Sequence, residues 1–184
     1  MAQYRIAVIV GSLRRHSFNR QVAELLVHLA PPDFLLKTSE IADLPLYNQD
    51  DDQHQAAPVQ RLRSEIIASQ GVIFVTPEYN RSVPGVLKNA IDHGSRPYGQ
   101  SAWAGKPAGI LGVSEGALGS ALAQQHLRTI VASLDMPMLA QPESYIRARA
   151  DMFDEVEHPG TSVKPLLQDW MTAFVAWVQR HAGI

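Results

Sequence analysis

Apolar positions along the chain fall into two alternating rhythms. Ile6 to Val10 is apolar at every position, the pattern of a strand covered on both faces of a parallel sheet. Asn19 to Leu29 then places Val22, Ala23, Leu25, Leu26 and Leu29 on one helical face, and Pro31-Pro32 stops the helix. "FLLKTSEIADLP" holds a weak second strand, followed by the polar loop "LYNQDDDQHQAAP". The next helix is expected from Pro58 to Gln70 with Val59, Leu62, Ile66 and Ile67 inward, ended by Gly71. "VIFV" begins the third strand and "AGILGV" the fourth; "LAQQHLRTIVASL" forms an amphipathic helix, and a last strand is expected near "MPMLA". Val163 to Val178 sets Val163, Leu166, Leu167, Trp170, Met171, Phe174, Trp177 and Val178 at helical spacing, a closing helix whose tryptophans pack the core. Strand and helix alternate throughout, with no repeat and no dividing linker. The expectation is one α/β domain over residues 1–184, a doubly wound parallel sheet with ligands at the carboxyl ends of its strands.

Composition narrows the function classes. The 184 residues are 46% hydrophobic, with 16 Lys and Arg against 18 Asp and Glu, a net charge of -2 that favours neither nucleic acid nor an anionic membrane as partner. There is no cysteine, which excludes disulfides, thiolate nucleophiles and thiolate metal sites. The apolar core of the N-terminal stretch is about five residues, too short for a signal peptide, and a cytoplasmic location is expected. The seven histidines, His16, His28, His54, His93, His126, His158 and His181, show no HxH or HExxH spacing, and no metal site is expected. Asp50-Asp51-Asp52 reads as a solvated loop.

Two loops carry candidate chemistry. "GSLRRHSFNR", Gly11 to Arg20, leaves the first strand and enters a helix, where free backbone N–H groups and the helix dipole favour an anion. It lacks the glycines of GxGxxG and the Gly-Lys-Ser/Thr of a Walker loop. What remains is two hydroxyls, Ser12 and Ser17, the Asn19 amide and the Arg14 guanidinium, a set that suits a terminal phosphate monoester. The alternative is that Ser17 or Asn19 simply caps the helix. The second loop follows strand three in "TPEYNRSVPGVLKNAIDHGSRP", Thr76 to Pro97, stiffened by Pro77, Pro84 and Gly85, with a helix restarting over Val86 to Ile91. Across the switch point from the first loop, its backbone and the Asn80 amide can meet a flat heterocycle whose phosphate tail lies on "GSLRRHSFN".

Together these loops resemble the NADPH-dependent FMN reductase family, which also includes quinone, chromate and azo-dye reductases. "GSLRRHSFN" is similar to its phosphate loop and "PEYNRSVPGVLKNAID" to its flavin-contact loop, and the likeness continues through "AGKPAGILGVSEGALGSALAQQHLR", covering most of Ile6 to about Glu143. The resemblance implies a flavodoxin-like five-stranded parallel sheet of order 2-1-3-4-5 with helices on both faces. It implies that Ser12, Arg14, Ser17, Phe18 and Asn19 hold the FMN phosphate, that Pro77, Glu78, Tyr79 and Asn80 line the isoalloxazine ring, and that Ser114, Glu115 and Gly116 contact its other side. Hydride would pass from NADPH or NADH through FMN N5 to small acceptors such as quinones, azo dyes, chromate or flavins, with no side chain required as general acid or base. A homodimer or homotetramer is implied as well. His93 stands where relatives often carry Trp, a departure placed near the substrate pocket.

Several residues keep two readings. Glu78 is expected as a structural or interface contact in preference to a proton donor, and Tyr79 as a flank of the ring. Asn89 and Asp92 anchor the loop or join a dimer helix pair, and Lys88 faces solvent. Arg147 and Arg149 reach a neighbouring subunit or the ribose phosphate of the dinucleotide. Arg15, His16 and Arg20 stay unassigned, with the incoming dinucleotide as the candidate contact of Arg15 and solvent that of the other two. The competing functions are a flavodoxin-type electron carrier, against which the modest net charge argues, and a nucleotide-binding regulatory domain without redox activity.

Overall fold

A computed structural model describes residues 3–153 and 162–182; His158 lies outside them. Five parallel strands, β1 (Tyr4–Val10), β2 (Phe34–Thr38), β3 (Gly71–Val75), β4 (Ala108–Ser114) and β5 (Tyr145–Arg147), form one sheet in the order β2-β1-β3-β4-β5. Between and after them run α1 (Phe18–Leu29), α2 (Ala57–Ile67), α3 (Gly85–Gly94), α4 (Ala121–Ser133) and α5 (Lys164–His181). The chain reverses its direction of winding between β1 and β3, which puts the switch point of a flavodoxin-like sheet beside the loop that follows β1.

The unbroken apolar run of β1 is explained by its two covers. Ile6, Val8 and Val10 face one core with Val22 and Leu26 of α1 and Trp170 and Phe174 of α5. Ala7 and Ile9 face the other with Leu62 and Ile66 of α2, Leu87 and Ile91 of α3, and Leu127 and Val131 of α4. Alternation along a strand divides a continuous run equally between two layers. On the first face Trp170 and Phe174 stack at 5.3 Å against β4, where Gly109 lacks the side chain that would collide with both rings. Full burial of a large apolar side chain contributes about 1.5 to 3 kcal/mol, so these two cores hold the loop-bearing ends of β1, β3 and β4 in fixed relation.

Three expectations are corrected. The fifth strand is Tyr145–Arg147; the "MPMLA" segment makes only an isolated bridge, Ala108 to Met138. Ala108 N donates to Pro137 O and Leu139 N donates back to Ala108 O, both at 2.8 Å, and pairing with β4 resumes only where Gly112, Val113 and Ser114 meet Tyr145, Ile146 and Arg147. Helix α2 stops at Ile67, and Gly71 opens β3; Gln70 is held to Arg5 by its backbone N–H and its side-chain oxygen. Ile67 is 58% exposed and Leu166 44% exposed, because Ile66 and Leu167 beside them already occupy the inward positions. Among the described residues no helix is long and apolar enough to cross a membrane.

Candidate functional site

The loop after β1 turns outward at Gly11, whose N–H is bound by Val75 O, and enters α1 through Ser17. Ser17 caps the helix with extended backbone (φ -82, ψ 124), but its Oγ lies 3.4 Å from Arg20 N, a long bond that leaves most of its hydrogen-bonding capacity unused. Among the described residues, the backbone N–H groups of residues 12–19 donate to no protein acceptor. Ser12 and Ser17 are buried at 3% exposure each, and Leu13 to His16 form an exposed rim that includes Arg14. Unpaired N–H groups at a helix N-terminus, two buried serines and an exposed arginine on the rim make a candidate anion cradle.

Asn19 does something else. Its buried amide donates from Nδ2 to Val113 O and accepts at Oδ1 from Val113 N, 2.9 Å in each case. The side chain is fully engaged with β4, so what Asn19 offers a ligand is its backbone N–H. Phe18 is half-buried at the first position of α1.

A cleft of about 420 Å³ opens beside the cradle, lined by Glu78, Asn80 and Arg81 from the loop after β3, by Ser114 at the end of β4 and by Gly116 to Ser120 from the loop that follows it. Two devices hold those loops together. Gly112 has no side chain, and a Cβ there would strike Thr76 O and Ser120 Oγ, so the bare position lets both loops close over the end of β4. Glu78 Oε2 accepts from Leu122 N (2.9 Å) and Ala123 N (3.2 Å), which places a carboxylate on the N-terminus of α4. Its Oε1 stands 3.8 Å from Arg81 Nη1. Between them, Tyr79 and Ser82 exchange two backbone hydrogen bonds around Asn80 (φ 50) and Arg81 (φ 65), a two-residue turn with left-handed backbone at both centres.

The sequence-predicted residues divide accordingly. Ser12, Arg14, Ser17, Phe18 and Asn19 lie along the cradle. Glu78, Asn80, Ser114 and Gly116 line the cleft, Pro77 is buried behind it, and Tyr79 and Glu115 are exposed on its two loops. Sequence reasoning missed Arg81 and the 117–120 segment as cleft lining; the Asn-Arg pair between Tyr and Ser was the available signal for the turn. Arg147 pairs in register with Ser114 and is exposed at the sheet end, whereas Arg149 is engaged with Asp151 at 2.9 and 3.0 Å. His93 lies away from the cleft: it is buried, with Nε2 2.9 Å from Pro45 O, and packs edge-on against Tyr47. Asn89 fixes the same segment through Tyr47 N and Pro45 O, and Lys88 pairs with Asp92 along α3. His126 Nδ1 bonds Ser82 Oγ at 2.9 Å, behind the turn.

An anion cradle at the end of β1 beside a cleft between the β3 and β4 loops defines a class: doubly wound proteins that hold a phosphorylated ligand at the switch point. The particular family follows from comparison. The family model for NADPH-dependent FMN reductases matches residues 4–151, and the chain belongs to that family, which makes it an oxidoreductase. It is 49% identical over 183 residues to a quinone reductase of Pseudomonas putida, covering 98% of both chains. It is 48% identical over 178 residues to a 2-hydroxy-1,4-benzoquinone reductase of a Burkholderia species, covering 95% of this chain and 96% of the relative. Among solved structures, the flavoenzyme NAD(P)H:(acceptor) oxidoreductase FerB from Paracoccus denitrificans superposes with a TM-score of 0.88 at 40% identity, over 97% of this chain and 98% of that one.

The residues fit FMN as the bound group. The donors of residues 12–19 suit a phosphate monoester, and the adjoining cleft between the β3 and β4 loops suits a flat ring.

Proposed function

We propose that the chain, acting as one domain, is an FMN-dependent NAD(P)H:quinone oxidoreductase. The observation that supports this most directly is the adjacency of the unpaired N–H row at residues 12–19 and the 420 Å³ cleft, on the carboxyl ends of neighbouring strands. Ser12, Arg14, Ser17 and the N–H groups through Asn19 would hold the phosphate, each bond to a charged group contributing about 1.5 to 3 kcal/mol. Pro77 to Asn80 and Ser114 to Gly116 would position the ring between the two loops. When bound, FMN supplies hydride chemistry at N5.

The protein's own part is orientation. Glu78 is occupied as the cap of α4 and keeps the ring loop seated, while the exposed Tyr79 is free to flank a ligand. Leu118 and Leu122, 48% and 37% exposed at the same rim, favour a homodimer or homotetramer in which a second copy narrows the opening. Quinones are the acceptor class, by kinship with relatives so named; azo dyes, chromate and free flavins belong in the same screen.

The test is steady-state oxidation of NADPH and of NADH by FMN-loaded protein with 1,4-benzoquinone. Turnover that requires both FMN and quinone is expected. A protein that binds FMN but is inert to both nicotinamides would instead be an electron carrier.

A further inference from the structure

Two-residue turns with left-handed backbone at both centres favour Asn followed by Gly. Asn80 obeys this preference; Arg81, at φ 65, stands where glycine would be free of strain. Strained non-glycine backbone at a cleft is a reason to ask what the side chain does. Here it carries a guanidinium to the rim of the 420 Å³ cleft, where the side chain is 71% exposed. Glu78, the acid beside it at 3.8 Å, is only 10% exposed, and its Oε2 is already engaged with Leu122 N and Ala123 N. The guanidinium therefore keeps donors open to a ligand entering the cleft.

We propose that Arg81 selects acceptors bearing an ionised oxygen, so that the preferred substrates of the cleft are hydroxylated quinones in their anionic form. This rests on the quinone-reductase reading above. A 2-hydroxyquinone anion shares its negative charge between the C2 and C4 oxygens and sets the charged C2 oxygen beside the C1 carbonyl oxygen, so a planar guanidinium can donate to that neighbouring pair through two parallel N–H groups. Reduction makes the cation more useful still. A hydride equivalent from NAD(P)H, two electrons and one proton, adds to a molecule already negative, and a proton from water completes the hydroquinone as the nicotinamide is oxidised. A fixed positive charge at the rim offsets the charge that builds up.

The test compares 2-hydroxy-1,4-naphthoquinone, ionised at neutral pH, with neutral 1,4-naphthoquinone as acceptors for the FMN-loaded enzyme. Arg81→Gln is expected to lower the ratio of kcat/KM, anion over neutral, by ten- to a hundredfold, mainly through KM, and Arg81→Lys to restore part of it. The wild-type ratio should fall with added salt and the Gln variant's should not. Binding of the hydroxynaphthoquinone to oxidised enzyme without nicotinamide, followed by the flavin spectrum, should weaken by the same factor. An unchanged ratio overturns the proposal. So does an equal loss for both quinones accompanied by altered sedimentation, which would make Arg81 an interface residue. An effect confined to NADPH over NADH, or one produced by Arg147→Gln instead, also overturns it. A wild-type enzyme inert to both quinones sinks the underlying reading as well, whereas an active one with an unchanged ratio sinks only the role of Arg81.

Discussion

Asn19, in the first turn of α1, and Val113, near the end of β4, exchange two buried hydrogen bonds of 2.9 Å although 94 residues separate them in sequence. The amide bridges the end of β3, which lies between β1 and β4, and fixes the start of α1 to the end of β4. Asn19→Ala would leave both backbone groups of Val113 buried and unpaired at a cost of about 1 to 3 kcal/mol each. Urea unfolding of the variant should show that loss. FMN affinity should fall with it, since the two halves of the site lose their brace.

Ser17 has a different balance. Its bond to Arg20 N is long, so Ser17→Ala removes a weak cap, costing about 0.5 to 2 kcal/mol of stability. The larger effect is expected on FMN, weakened by about 1 to 3 kcal/mol through loss of a donor to a charged group. Fluorescence titration with FMN beside riboflavin separates the two contributions, because riboflavin lacks the phosphate and its binding should be insensitive to the substitution.

Glu78 joins the ring loop to α4. Glu78→Ala removes the carboxylate that accepts from Leu122 N and Ala123 N, with an expected loss of about 1 to 2 kcal/mol in thermal or urea unfolding. Glu78→Gln keeps an acceptor oxygen and should recover more than half of it. Were Glu78 a proton donor in turnover, Gln would be as inactive as Ala; the structural role predicts that Gln remains active.

Glu65 provides the pH dependence. Burial pushes its carboxyl up, but the hydrogen bond and charge of Lys37, 2.9 Å away, together with Ser39, outweigh it and hold the group below the ordinary carboxylate value. A folded-state value below the unfolded one gives stability that is present above the ordinary carboxylate range and lost as pH falls through the folded value. Glu65→Gln should therefore flatten the acid limb of the unfolding free energy measured against pH.

Much of this architecture is legible in the residues. The unbroken Ile6 to Val10 run and the 3.6-residue spacing of Val22, Ala23 and Leu26 give strand and helix directly, because two-sided burial leaves no polar position to confuse the pattern. β5 is not legible: three residues with one buried side chain, Ile146, carry almost no periodicity, and the more apolar "MPMLA" draws attention although it makes only an isolated bridge. At the site, Ser12, Ser17 and Asn19 stand out by residue type at a helix entry, but type does not tell a ligand from a brace. Asn19 spends its side chain on Val113, a contact 94 residues distant that no local pattern encodes. Arg81 escaped notice for a similar reason, since its left-handed backbone depends on the paired bonds of Tyr79 and Ser82.

The central claim is that the cradle at residues 12–19 and the neighbouring cleft together hold one FMN that passes reducing equivalents from a nicotinamide to a quinone. Anaerobic spectrophotometry of the FMN-loaded protein tests it most directly. NADPH or NADH should bleach the visible flavin absorbance at one equivalent per chain, and 1,4-benzoquinone should restore it in full. A protein that retains no FMN on desalting, or whose flavin absorbance is unchanged by either nicotinamide, would contradict the account.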